Sequence, residues 1–170
     1  MSNASIRETL DSLSAKLAGD PAKARVKNAA ATARLAAGLR CEVSGPKDER
    51  AATDMPPAMG GQGTAPNPGW YLRAGMAACT ATTIAMRAAK LGIALDTLEV
   101  SVESESDSRG LLGIDAGVSA ALGNVRTRVK IGGKAEPQAL RELVEWGDAH
   151  SPVGCTVSKA IACSLEIETT

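Results

Sequence analysis

The segment Asn67–Gly92, NPGWYLRAGMAACTATTIAMRAAKLG, limits what this chain can fold into more than any other stretch. Asn67 is an N-cap residue by type, and Pro68 suits the first helical position, where a missing N–H leaves no bond unmade. Gly92 follows the basic residues Arg87 and Lys90 and is placed for a left-handed C-cap. Between the caps stand mostly Ala, Gly, Met, Thr and Leu. Small side chains on nearly every side let other elements approach the backbone closely. The pattern predicts a long, central, largely buried helix with Cys79 at its middle.

Shorter elements flank that helix. Ile6, Leu10, Leu13 and Leu17 recur at helical spacing and stop at Gly19, which predicts an amphipathic helix. Leu39, Cys41 and Val43 alternate with Arg40 and Glu42 and read as a strand, turned by Gly38 against an earlier strand around 24–35. Residues 44–65, with Pro46, Pro56, Pro57 and several glycines, read as one long irregular loop, functional or partly disordered. Within it, Gly60-Gly61-Gln62-Gly63 reads as a turn, because no clear apolar strand precedes it and no Walker lysine follows.

Beyond the long helix, Leu98, Val100 and Val102 alternate with Glu99, Ser101 and Glu103. Val125, Thr127, Val129 and Ile131 alternate with Arg126, Arg128 and Lys130. Opposite charges on the polar faces suit cross-strand pairing in one antiparallel sheet, and DSRGLL at 107–112 begins the connection. Pro137 opens a helix carrying Leu140, Leu143, Val144 and Trp146. Ser151 caps, and Pro152 opens, a short helix to about Lys159. Ile161, Cys163, Leu165 and Ile167 then predict a closing strand. The class is α+β, with antiparallel strands curled around a central helix.

Composition narrows the function. At 170 residues with 44% apolar residues the chain can bury a core, but with 2% aromatics and no Phe that core must be aliphatic. A formal net charge of +0 provides no field for phosphates or anionic lipids, and few aromatics are available to stack on bases. Neither a nucleic acid nor a membrane partner is expected, and no apolar run is long enough to cross a bilayer. The start lacks the pattern of a secretory signal, and Ser2-Asn3-Ala4 resembles a tag remnant. Residues 1–22 read as an N-terminal helix with that remnant, and 23–170 as a single domain. Cys41, Cys79, Cys155 and Cys163 form no CxxC pair, so reduced thiols and a cytoplasmic location are expected.

Cys79 is the residue on which chemistry could turn, although the helix dipole gives a thiol several turns in little help. A lone Cys in an Ala-rich helix is most often a small core residue. His150-Ser151 invites a nucleophile–base reading, but adjacent side chains rarely face each other and no carboxylate partner is identifiable; a cap at Ser151 explains the pair better. With one His and no ligand spacing around it, no metal or cofactor is expected. Cys41 and Cys163 fall on the apolar faces of predicted strands.

Two motifs and their order resemble the family of osmotically inducible and organic-hydroperoxide-resistance proteins, the OsmC/Ohr group. NPGWYLRAGMAACTATTIAMRAAKLGI is similar to that family's Asn-Pro-capped helix with a Cys in an AAC context. HSPVGCTVSKAI is similar to its H-C-P-V opening of a late short helix. DMPPAMGG is like its Asp-x-Pro…Gly-Gly loop, and the likeness runs from about Arg40 onward. The resemblance implies an intertwined homodimer with two long central helices, sheets wrapping them, and a site at the interface. It also implies a Cys that attacks a hydroperoxide, a second Cys that condenses with the sulfenic acid, and an Arg and a Glu that orient the thiolate.

Carried over, Cys79 matches the helix cysteine, and Ser151 stands where the H-C-P-V cysteine would be. Gly69 follows Asn-Pro, where catalytic members carry Glu. Arg50 is the first choice for the arginine and Arg40 the second. Cys155, one helical turn past Ser151, could deputise as resolving thiol if its face points the right way. The expectation is a homodimeric OsmC-like thiol redox protein that reduces organic hydroperoxides through Cys79 with an external thiol. The competing reading is a family member that has lost the chemistry and binds a small apolar or thiol ligand in the interface cleft.

Overall fold

A computed structural model of the chain describes residues 3–159 and 161–169. The helices are α1 (Asn3–Gly19), α2 (Pro68–Leu91), α3 (Ser108–Leu111), α4 (Pro137–Ala149) and α5 (Pro152–Ser158). The strands are β1 (Thr32–Ala37), β2 (Arg40–Ser44), β3 (Arg50–Thr53), β4 (Leu95–Glu105) and β5 (Gly123–Gly133). The class is α+β, as the residue patterns predict, with one sheet ordered β1-β2-β3 and another formed by β4 and β5. Two compact units share these elements. One holds Met76–Ser101 and the chain from Arg128 onward, with the first turn of α1; the other holds Glu8–Gly75 and Val102–Thr127.

The first unit has an apolar core. Ile84, Ala88 and Leu143 are buried, with Ile93, Leu95, Leu98, Val100, Val129, Ile131 and Val144 packed against them. Met76, Thr80, Ile84 and Ala88 recur every four residues on one face of α2. That stripe, with Ala89 beside its end, is what α2 buries, so the helix is less enclosed than its composition predicts; Leu72, Met86 and Leu91 stay exposed. The caps form as predicted. Asn67 Oδ1 accepts from the Trp70 N–H at 2.9 Å. Gly92 adopts φ +73, and the Gly92 and Ile93 N–H groups donate to Ala89 O and Ala88 O in a Schellman motif. Gly147 of α4 is buried against α2: a Cβ there would collide with Ile84 Cγ1 and lie 3.2 Å from the Ile84 backbone. Glycine is what allows the two backbones to approach.

In the second unit, β1 and β2 form the predicted hairpin, with Gly38 at φ +58 and Thr32 opposite Ser44. The first strand starts at Thr32, later than the 24–35 reading; the Ala-rich run before it carries no apolar alternation to continue the pairing. A third strand, β3, lies inside the expected loop and pairs antiparallel with β2, from Ser44 opposite Arg50 to Cys41 opposite Thr53. Its RAAT sequence has no strand signal of its own, and the β2 edge supplies the hydrogen bonds that hold it. On β4 and β5 the acidic and basic faces meet as expected: Arg126 pairs with Glu103 at 3.4 Å, and Asn124 Nδ2 donates to Glu105 at 2.6 Å.

The predicted closing strand does not form. Residues 161–169 have no regular structure and are exposed, Leu165 by 83% and Ile167 by 76%. Alternation at Ile161, Cys163, Leu165 and Ile167 gives a strand only where another strand offers its edge, and none of the described strands pairs with it. Cys163 is accordingly exposed rather than packed on an apolar face.

Candidate active site

Cys79 lies midway along α2 as a free, half-buried thiol. Its carbonyl accepts from Thr83 Oγ1 at 2.8 Å, a bond internal to the helix. Ser151, in the same unit, is fully buried and caps α5: its Oγ accepts from the Gly154 N–H at 3.3 Å, and its carbonyl from the Cys155 N–H at 2.8 Å. Cys155, free and half-buried, directs its Sγ to the Ala149 carbonyl at 3.3 Å, back toward the end of α4. His150 does not serve Ser151 as a base. Its ring stacks on Trp146 at 3.9 Å and 12°, and its Nδ1 lies 2.7 Å from the Trp146 carbonyl. The Arg87 guanidinium sits over the same Trp146 ring, 4.7 Å from its centroid.

The arginines from the sequence reading belong to the second unit. Arg50 opens β3 with its side chain 79% exposed, its nearest carboxylate being Asp48 at 3.8 Å. Arg40 is more committed: it pairs with Glu42 at 2.9 Å and donates to Thr64 Oγ1 at 2.9 Å. Thr64 Oγ1 in turn donates to Asp54 at 2.8 Å. Asp54 is 2% exposed and also accepts from the N–H groups of Thr64, Met55 and Gln62. These donors, the Thr64 N–H foremost and its hydroxyl next, hold the Asp54 carboxyl below its ordinary value against the opposing effect of burial. Gly61 passes so close to this loop that a Cβ would strike the Met55 carbonyl. The glycine turn is therefore wound around a carboxylate of its own chain.

Sequence reasoning missed the hub role of Asp54, and it missed Arg73. A cavity of about 560 Å³ in the second unit is lined by Met55, Met59, Gly69, Arg73, Ser104 and Leu122, among others. Arg73 is half-buried there, and its Nη1 donates to Ser104 Oγ at 3.3 Å. Gly69 is open toward the cavity: an added Cβ would meet Asn67 Oδ1 at 3.4 Å and Arg73 Nη1 at 3.6 Å, ordinary contacts. The signal was that Arg73 is the one charged residue of α2 before Arg87. Among the described residues no three His, Cys, Asp or Glu side chains gather as metal ligands would. No helix in the described residues is long and apolar enough to cross a membrane.

The sequence profile of OsmC-like proteins matches residues 61–166. No curated protein matches the chain at a significant level. Several solved structures share the fold. The organic hydroperoxide resistance protein OsmC of Legionella pneumophila is 23% identical over 78% of this chain and 90% of its own, with a TM-score of 0.62. An OsmC-like protein from Mycoplasma pneumoniae is 16% identical over 79% and 89%, with a TM-score of 0.67. A Vibrio cholerae structure with captopril bound in one of its active sites is 25% identical over 78% and 85%, with a TM-score of 0.53. With the capped cysteine helix, the Asp54 loop and the Ser151-capped α5 all inside or beside the matched span, the chain belongs to the OsmC-like protein family.

Proposed function

We propose that this chain is a cytoplasmic, homodimeric thiol redox protein that reduces organic hydroperoxides through Cys79 alone. The observation that carries this reading is the contrast between two positions of the family pattern. Cys79 keeps a free, half-buried thiol on α2, whereas the resolving position is Ser151, fully buried and bound as a cap. A hydroxyl cannot form a disulfide, so a small external thiol takes over the second half of the cycle. The Cys79 thiolate attacks the distal peroxide oxygen, the O–O bond breaks, and the alkoxide leaves to take a proton. The resulting sulfenic acid condenses with one external thiol, releasing water and forming a mixed disulfide. A second external thiol attacks the outer sulfur of that disulfide and releases the Cys79 thiolate; the two external thiols have thereby supplied the two electrons that reduced the peroxide, and they leave as their own disulfide.

Arg50 is the favoured positive neighbour in the assembled dimer, because its guanidinium is exposed and only loosely paired, while Arg40 is held by Glu42 and Thr64. A second reading is favoured by Gly69, which stands where the expected Glu would be, on the wall of a cavity with only ordinary contacts around it. On that reading the chain binds a small apolar or thiol ligand and does no chemistry; captopril in an active site of the Vibrio relative supports a cleft that admits small organic molecules. The rate of Cys79 alkylation against pH separates the two. Redox chemistry predicts a thiol pKa well below the free value of about 8.5, and a sluggish thiol at or above that value contradicts it.

A further inference from the structure

We propose that the cavity beside the first turns of α2 is a binding site for a compact aromatic carboxylate, with Arg73 as the group that holds its anionic end. The proposal deepens the ligand-binding reading above, naming the ligand class for that same cavity, and stands apart from redox chemistry at Cys79, since every lining residue belongs to the second unit.

Charge is the first argument. Arg73 is half-buried, it donates to the neutral Ser104 hydroxyl, and among the described residues it forms no ion pair. The two carboxylates on the cavity wall are already engaged. Glu103 pairs with Arg126 at 3.4 Å. Asp107 is gripped by Arg109 at 2.6 Å and accepts the Arg109 N–H, which holds its carboxyl below the ordinary value. Asn67, Pro68 and Gly69 add the positive end of a 24-residue helix dipole to the same wall. A half-buried guanidinium without a counter-ion, next to a helix start, is matched by an anion; its planar fork suits a carboxylate.

Shape and lining are the second argument. A volume of about 560 Å³ lies within the usual range for small-molecule sites. Met55, Met59, Val102, Leu111 and Leu122 supply the apolar wall. Two methionines favour an aromatic ring, through sulfur–ring contacts and adaptable packing. Gly69 has no side chain to occupy the cavity wall beside Arg73, whose Nη1 would lie 3.6 Å from a Cβ placed there, so the guanidinium is left facing the cavity that both residues line.

The test is calorimetric titration of the full chain with phenylbutyrate and, separately, with phenylbutanol, which matches it in size but lacks the charge. The expected result is saturable phenylbutyrate binding that Arg73→Ala weakens roughly thirtyfold, with the alcohol binding weakly and equally to both proteins. Gly69→Glu provides a variant that folds, because Glu replaces Gly in the first turn of a helix, where a negative charge is favourable. It sets a carboxylate beside Arg73, and phenylbutyrate binding should fall as far as in Arg73→Ala. Equal affinity for acid and alcohol, no binding of either, or phenylbutyrate affinity unchanged in both variants would overturn the proposal.

Discussion

The two units solve the problem of a Phe-free, aromatic-poor sequence in different ways. In the first, Met76, Thr80, Ile84, Ala88, Ala89, Leu143, Gly147 and Ser151 are buried, and most of that surface is apolar. In the second, the only buried residue among those described is Asp54, a carboxylate. The first unit is thus held by close packing of small residues, which is insensitive to pH. The second is organised by charge-assisted hydrogen bonds onto one ionised group, and its integrity follows the protonation of that group. The same contrast separates the candidate sites: the thiol sits in the packed unit, and Arg73, without an ion pair among the described residues, in the polar one.

The largest effect should come from overfilling the tight helix contact. Gly147→Val forces side-chain atoms into Ile84 and is expected to destabilise the first unit by about 3 kcal/mol, read from urea unfolding. A substitution tolerated without loss would mean that α4 does not approach α2 as closely as described.

Acid is the next lever and should act on the second unit first. The folded Asp54 carboxyl lies below its unfolded value of 3.8, so its contribution is present above that value and disappears as pH falls through the lower folded one. The two tryptophans report the units separately: Trp70 belongs to the second and Trp146 to the first. In variants keeping one Trp each, Trp70 emission should change at a higher pH than Trp146 emission, and Asp54→Ala should loosen the Trp70 environment at neutral pH. Coincident acid transitions in the two variants would contradict the division.

Two smaller changes refine the comparison. Ser151→Ala removes the α5 cap and should destabilise by about 1 kcal/mol, lowering the melting temperature without altering Cys79 alkylation. Gly69→Ala adds a methyl group into ordinary contact distance in a helix and should stabilise by roughly 0.5 kcal/mol. A loss of stability there would show that the first turn of α2 needs glycine.

How much was legible in the sequence divides along the same line. Asn67, Pro68, Gly92 and Ser151 are local signals, and all four caps and stops formed where their chemistry dictates. Leu98, Val100 and Val102 showed their burial through alternation, and the opposed charges of Glu103 and Arg126 foretold their pairing. β3 was invisible because Arg50–Thr53 owes its structure to a neighbouring edge rather than to its own residues. The closing strand at Ile161–Ile167 failed for the converse reason, a pattern without an edge. Asp54 and Arg73 could not be weighed because a lone charge in a loop or on a helix reveals its partners only in three dimensions.

The family motifs identified the fold, and the proposed one-Cys chemistry has Cys79 working with Gly69 and Ser151 where the family pattern expects Glu and Cys. Intact-protein mass measurement after one equivalent of an organic hydroperoxide, beside Cys79→Ala and Cys155→Ala, tests that directly. One-Cys chemistry predicts the gain of a single oxygen atom that requires Cys79, persists in Cys155→Ala and is cleared by added thiol. Loss of two hydrogens that requires both cysteines, or no change while a known reactive thiol is oxidised alongside, would contradict it.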